Sequence, residues 1–227
     1  LVLAGSGRED RESANAVTDQ LRAFEEGGGK AVLLGRQHAH ADAVLIDNVG
    51  GARELAEMLA GLGHRRFGVV AGPAGVSTTR ERLAGVRLGL ERHGLELPEE
   101  MVVHGDYTRE SGSAAAAELL SRGSRPTALL AFNDVMAVGA LNEARRAGLR
   151  VPQDLSVAGF DDVPLAALVL PTLTTVRVPM AEMGALGLEM ALEPPGAAMR
   201  VEHLSTELVI RESTGPAPGG SSAISRP

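Results

Sequence analysis

Four apolar runs in this chain are each followed by residues able to hold a polar ligand. "RFGVVAG" (66–72) leads into "PAGVSTTRER", which offers Thr78 and Arg82. "MVVHG" (101–105) is followed by Asp106 and Tyr107, "TALLAF" (127–132) by Asn133 and Asp134, and "LSVAGF" (155–160) by Asp161 and Asp162. If the runs are strands of one parallel sheet, these residues gather beyond its carboxyl edge, where open α/β sheets bind ligands. Arginine and aspartate can each grip paired hydroxyls or ring heteroatoms through two hydrogen bonds. Asparagine both donates and accepts, and tyrosine adds a flat apolar face with a polar tip. Taken singly, each also has a plain structural reading. Arg82 could be a solvated first-turn residue, and Tyr107 could be packing. Asn133 and Asp134 could cap a helix, and Asp161 with Asp162 could open a turn. Their shared position on four strand ends favours a common site for a small polar ligand.

Covalent or metal chemistry finds little support. Asp161 and Asp162 are neighbours on the chain and point different ways, a poor start for an acid–base pair. There is no G-x-S-x-G elbow, no phosphate-binding G-x-x-x-x-G-K-[ST] and no H-E-x-x-H. His38 and His40 form H-x-H with no third ligand nearby in sequence, so no metal or other cofactor is expected. The chain does not read as an enzyme.

The elements that must position these residues alternate. Strands are expected at 1–5, 30–35, 43–46, 66–72, 101–105, 127–132, 155–160 and 206–212. Helices are expected at 11–26, 50–62, 79–93, 109–122, 134–147 and 179–192. Such alternation implies parallel sheets with helices on both faces. Gly63, Gly94, Gly123 and Gly148 each fall just past a helical pattern. Thr78 with Glu81 fits a capping box, and Asp134 fits an N-cap. The tail 214–227 is rich in Gly, Pro and Ser and is expected to be disordered.

The 227 residues carry a net charge of −7, and Lys30 is the only lysine. A general DNA-binding surface is therefore not expected, because phosphate contacts need clustered cations. There is no cysteine, which excludes disulfides and thiolate metal sites. No run of 18 apolar residues is present, so no membrane-spanning helix is expected. "LVLAGSGRED" lacks the features of a signal peptide and reads as a strand already in progress, so the chain is expected to be part of a longer protein.

"GLGHRRFGVVAGP" (61–73), "TTRERLAGVRLGL" (78–90), "GDYTRESG" (105–112), "RPTALLAFNDVMAVGAL" (125–141), "GLRVPQDLSVAGFDDVPLA" (148–166), "PTLTTVRVPMAEMG" (171–184) and "ELVIREST" (207–214) resemble the effector-binding core of the LacI/GalR family of bacterial transcriptional regulators. The resemblance implies a type I periplasmic-binding-protein-like fold of two doubly wound parallel-sheet subdomains. One would comprise 1–46 with 178–205 and be incomplete at its start. The other would comprise 47–177 with 206–213. It implies a small-molecule effector in the cleft between them, most often a sugar or sugar phosphate in this family, and in some members a purine or nucleoside. Carried over by motif, Arg82 of "RLAG" is the main polar clamp. Asn133 of "FND" and Asp161 of "GFDD" complete the hydrogen-bonding set, Tyr107 of "GDY" is the aromatic position, and Thr78 is a weaker contact. It also implies a cytoplasmic homodimer that reaches operator DNA through an N-terminal helix-turn-helix not found in these residues. A solute-binding protein of a sugar transporter is the alternative with the same fold.

Two departures stand out. Members often place an acid after the strand that matches 31–35, where this chain has Gly35. The helix-turn-helix, the hinge helix and the first two strand–helix units are also not among these residues, so the first sheet is expected to have an open edge. The apolar run "PLAALVLP" (164–171) matches the family's dimer loop, with Leu165, Leu168 and Leu170 at the interface beside Val138 of the helix at 134–147. The competing reading tucks those leucines into their own core. The dimer is favoured because the run has no period and follows a strand end.

Overall fold

The computed structural model describes residues 1–5, 7, 11–37, 39–194 and 198–219, with the backbone alone at 11–14. His38 and residues 220–227 of the expected tail lie outside the described residues. In chain order the elements begin with β1 (Val2–Ala4), α1 (Arg11–Glu26), β2 (Val32–Leu34), β3 (Asp42–Ile46) and α2 (Asn48–Gly61). There follow β4 (Phe67–Ala71), α3 (Ser77–Glu91), β5 (Val102–His104), α4 (Arg109–Ser121), β6 (Ala128–Ala131) and α5 (Asp134–Arg146). The last are β7 (Ser156–Ala158), β8 (Thr175–Arg177), α6 (Met180–Leu192), β9 (Val201–Leu204) and β10 (Glu207–Val209).

Three sheets result. The first has the order β1-β2-β3-β9, all parallel. Its strands alternate, as a sheet covered on both faces requires. Leu33, Ala43 and Leu45 pack with Leu21 of α1. Val32 and Val44 point the other way, onto Met183 and Met190 of α6. Among the described residues β1 is an edge strand, with Val2 exposed. The second sheet has the order β5-β4-β6-β7, also parallel. β4, β6 and β7 are buried along their whole length, and α2 with α3 and α4 with α5 form the two helical pairs around them. Gly85 and Gly89 bring α3 close to α2: a Cβ there would lie 2.3 Å from the Val49 carbonyl oxygen and 2.5 Å from that of Arg53. β10 and β8 make a small antiparallel pair beside α2. The chain passes between the two larger sheets after β3, after β8 and after β9.

The α/β class with parallel sheets is the one expected from sequence. Two strands, β8 and β9, were not expected, and four local assignments need correction. The capping box at Thr78 does not form. The residue before α3 is Val76, which makes no side-chain cap, and Glu81 is drawn instead to Arg36 and Asn48. The cap of α5 is Asn133, whose Oδ1 accepts from the Met136 amide at 2.8 Å. Asp134 lies one residue inside and is fully buried. Gly63, Gly94 and Gly148 take left-handed backbone after their helices, but Gly123 does not, because Arg122 leaves α4 in an extended conformation. Thr214 to Ala217, at the start of the expected tail, are tied to the body. Thr214 Oγ1 meets Thr174 Oγ1 at 2.8 Å, Gly215 N donates to Ser156 Oγ at 3.1 Å, and Ala217 N donates to the Leu62 carbonyl at 2.9 Å.

Candidate ligand-binding site

Arg82 is the centre of the site, and it is not a solvated first-turn residue. It sits in the second turn of α3 and is 5% exposed. Its Nε donates to Asn48 Oδ1 at 3.0 Å, Nη1 donates to the Phe132 carbonyl, and Nη2 donates to Asp161 Oδ1 at 3.1 Å. The guanidinium lies 3.7 Å from the centroid of the Phe160 ring, a cation–π contact. Burial lowers its pKa, and the nearby Asp161 carboxylate opposes that shift. So fixed a fork leaves a planar donor array facing the space beside it.

Asp161 arrives from the end of β7. Its amide donates to the Val176 carbonyl at 2.8 Å, which ties the turn to β8. Asp161 and Asp162 have φ of 114° and 56°, a region that costs a non-glycine residue roughly 1–3 kcal/mol. The strained turn points the two carboxylates to different partners. Asp161 faces Arg82; burial raises its pKa, and the Arg82 charge pulls it back down. Asp162 faces away and binds Arg177 Nε at 2.7 Å and Arg211 Nη2 at 2.6 Å. Burial alone would raise its pKa, but the bonds from Arg211 and Arg177 outweigh it and hold the group below its ordinary value. Asp162 is thus a structural clasp on β8 and on the segment after β10.

Three residues complete the polar wall: Asn48 and Arg36, which were not singled out in the sequence, and Glu81, which was expected only as a helix cap. Asn48, the first residue of α2, bridges Arg82 and Glu81: its Oδ1 accepts from the former, and its Nδ2 donates to Glu81 Oε2 at 2.9 Å. Glu81 also accepts from Arg36 Nε, and Arg36 follows β2 in the first sheet. A run of side chains, Arg36–Glu81–Asn48–Arg82–Asp161, therefore joins the two sheets. Beside it lies a cavity of about 320 Å³ lined by this run, by Thr78, and by apolar residues that include Leu34, Ile46, Val178 and Met183. That is within the size range of small-ligand sites. Gly35 lines it as well, with φ of 109°, and a Cβ there would lie 2.7 Å from the Gly5 carbonyl oxygen. No side chain, acidic or otherwise, fits at that position without movement.

The structure brings Arg82, Asp161 and Thr78 together on this cavity, but not Tyr107 or Asn133. Tyr107 folds over Gly72, where a Cβ would lie 2.3 Å from the ring, and its hydroxyl meets Thr79 Oγ1 at 2.9 Å. Its backbone is left-handed, with φ of 69°. Asn133 donates from Nδ2 to the Tyr107 carbonyl at 3.2 Å while capping α5. Both support the wall behind Arg82, whose Nη1 contacts the carbonyl of neighbouring Phe132.

The apolar loop after Asp162 does not tuck into its own core. Ala166 is buried and Val169 packs inward, whereas Leu165 is 40%, Leu168 77% and Leu170 88% exposed. Val138 of α5 is half-buried. Asp134 anchors the loop from beneath: Oδ2 accepts from the Val163 amide at 2.8 Å, and Oδ1 accepts from Thr175 Oγ1 at 2.6 Å. Burial pushes its pKa up to about 6.

Comparison with known proteins places this geometry. A periplasmic binding protein-like domain matches residues 56–214. The transcriptional regulator DegA of Bacillus subtilis is 38% identical over 178 residues, which cover 77% of this chain and 52% of DegA. The chain spans about half the length of the curated relatives it matches. Among solved structures, a regulatory protein of the LacI family from Chloroflexus aggregans superposes with a TM-score of 0.79 at 31% identity, covering 94% of this chain and 76% of that one. A complex of the regulator CelR with cellobiose gives 0.81 at 34% identity, covering 93% of this chain and 64% of that one. The domain match over residues 56–214 and the superposition on a LacI-family protein at 31% identity show that the chain belongs to the LacI family of transcriptional regulators.

Proposed function

We propose that this chain is the ligand-sensing and dimerisation core of a transcriptional regulator that takes a small polar effector, a sugar, into the cavity between its two larger sheets. The observation that carries the reading is the Arg82–Asp161 pair, held rigid by Asn48, the Phe132 carbonyl and the Phe160 ring on one wall of that cavity. A preorganised fork beside a carboxylate suits vicinal hydroxyls, which accept from one and donate to the other. The bound cellobiose of one structural relative supports a saccharide. Residues 1–46 with 178–205 and residues 47–177 with 206–213 act as two subdomains, with the effector held between them. Leu165, Leu168 and Leu170 meet their copies in a homodimer, and operator DNA is contacted by a helix-turn-helix outside these residues, in the cytoplasm. Relatives named as transcriptional regulators favour this reading over a transporter's solute-binding protein.

A thermal-shift screen of sugars and nucleosides tests it, because a ligand at a hundredfold its dissociation constant adds about 2.7 kcal/mol. The expected result is a shift by a saccharide that is lost in Arg82→Lys, whose point charge cannot reproduce the fork. A saccharide shift that persists undiminished in Arg82→Lys would refute the site.

A further inference from the structure

The cavity lining contains four formal charges among the described residues: Arg36 and Arg82 against Glu81 and Asp161. They balance, and each is already paired. Arg36 Nε binds Glu81 Oε1, and Arg82 Nη2 binds Asp161 Oδ1. The two pairs are not independent, since the Asn48 amide donates to Glu81 and accepts from Arg82. Glu81 is thereby held between the two cations, with its side chain 14% exposed against 52% for Arg36. The rest of the lining is largely apolar, including Leu34, Ile46, Val178 and Met183.

We propose that Glu81 sets the charge specificity of this cavity, balancing it so that the site takes an uncharged, hydroxyl-bearing ligand and rejects the phosphorylated form of the same ligand. The inference rests on the ligand-sensing reading above. Hydroxyls can donate to the carboxylates and accept from the guanidinium without breaking either ion pair. The apolar residues opposite suit the C–H face of a ring. A phosphate monoester would meet two carboxylates in a partly desolvated space, with both described cations already matched. It would have to break a pair or remain unpaired, and either is unfavourable for a charged group. Were Glu81 neutral, Arg36 would be left as a surplus cation on the rim, and an anion would gain a partner there.

Two measurements decide this. In the first, inorganic phosphate is titrated against wild type, Glu81→Gln and the double variant Glu81→Gln with Arg36→Gln, at matched ionic strength, with binding read by calorimetry. Glutamine keeps an acceptor for Asn48 while removing the charge. Phosphate affinity should rise about fivefold in Glu81→Gln, the scale of one half-exposed ion pair, and fall back in the double variant. A merely structural role for Glu81 would produce no such gain. Equal phosphate binding by wild type and Glu81→Gln would overturn the proposal. In the second, a panel of neutral mono- and disaccharides is compared with their phosphate monoesters by thermal shift on wild type. Neutral members should stabilise and their monoesters should not; a monoester that stabilises wild type as much as its parent sugar also overturns the proposal. If no saccharide of either kind stabilises the protein, the ligand-sensing reading loses its sugar, while the phosphate titration still decides the role of Glu81.

Discussion

Replacing Arg82 by alanine should damage the fold as well as the site, by an amount the contacts define. The change strips the donor from three acceptors: Asn48 Oδ1, the Phe132 carbonyl and Asp161 Oδ1. Phe132 is 2% exposed, so water cannot readily replace the lost donor there. The Asp161 side chain is 20% exposed and can recover part of its loss from water. An unsatisfied buried group costs about 1–3 kcal/mol, and breaking a buried ion pair about 3–5 kcal/mol. With the discount for Asp161, the expected loss is roughly 3 kcal/mol, a large part of the ~5–15 kcal/mol that holds most domains folded. For a chain of this size that corresponds to a fall in Tm of roughly 6–12 °C. Urea unfolding followed by circular dichroism measures it. Asp161→Asn should cost less, because the amide oxygen can still accept from Nη2. The double variant should cost less than the sum of the two, since they share one interaction. A loss below about 1 kcal/mol in Arg82→Ala, or strict additivity in the double variant, would refute the view that the fork is structurally committed.

Two more outcomes follow from the loop behind the site. Burial holds the Asp134 carboxyl at a pKa of about 6 against an unfolded value of 3.8, so the native state binds the extra proton; the contribution of this group to stability should be fully present below pH 4, fall by about 3 kcal/mol as pH rises to 6, and level off above it. Asp134→Asn should flatten that slope in a pH series of urea melts, and an unchanged slope would assign the dependence elsewhere. Leu168→Asp should leave the stability of the folded chain within about 0.5 kcal/mol, because Leu168 is 77% exposed, yet give a monomer by sedimentation that still binds effector, since a charge buried unpaired at an interface costs several kcal/mol; an unchanged dimer would move the interface away from this loop.

The residues at the strand ends were legible because their meaning depends on order along the chain. Apolar runs alternating with helical periods fix parallel sheets, and whatever follows each run falls at one edge, so the placement of Arg82, Asp161 and Thr78 beside one cavity could be read from their position, though Tyr107 and Asn133 share that position and do not line it. The helix ends were legible for the same local reason, to within two residues across α1 to α6. β9 was not, since "VEHL" alternates only weakly and becomes a strand by pairing with β3, more than 150 residues earlier. β8 is three residues long and owes its form to β10 and to the Asp161 amide.

What only the tertiary structure decided is which polar groups meet. Glu81 has the spacing of a capping-box acid, and the local rule fails because Arg36 and Asn48, distant in sequence, offer it a charge and an amide. Asn133 and Tyr107 sit at strand ends like the others, but the turn at Tyr107 lays its ring over Gly72, and the two bind each other rather than the cavity. Asn48 carries no motif, yet it couples both ion pairs of the site. Sequence patterns record burial and chain direction, which act over a few residues. Charge pairing and hydrogen-bond direction act over a few ångströms, between residues that the chain brings together only when both sheets are in place.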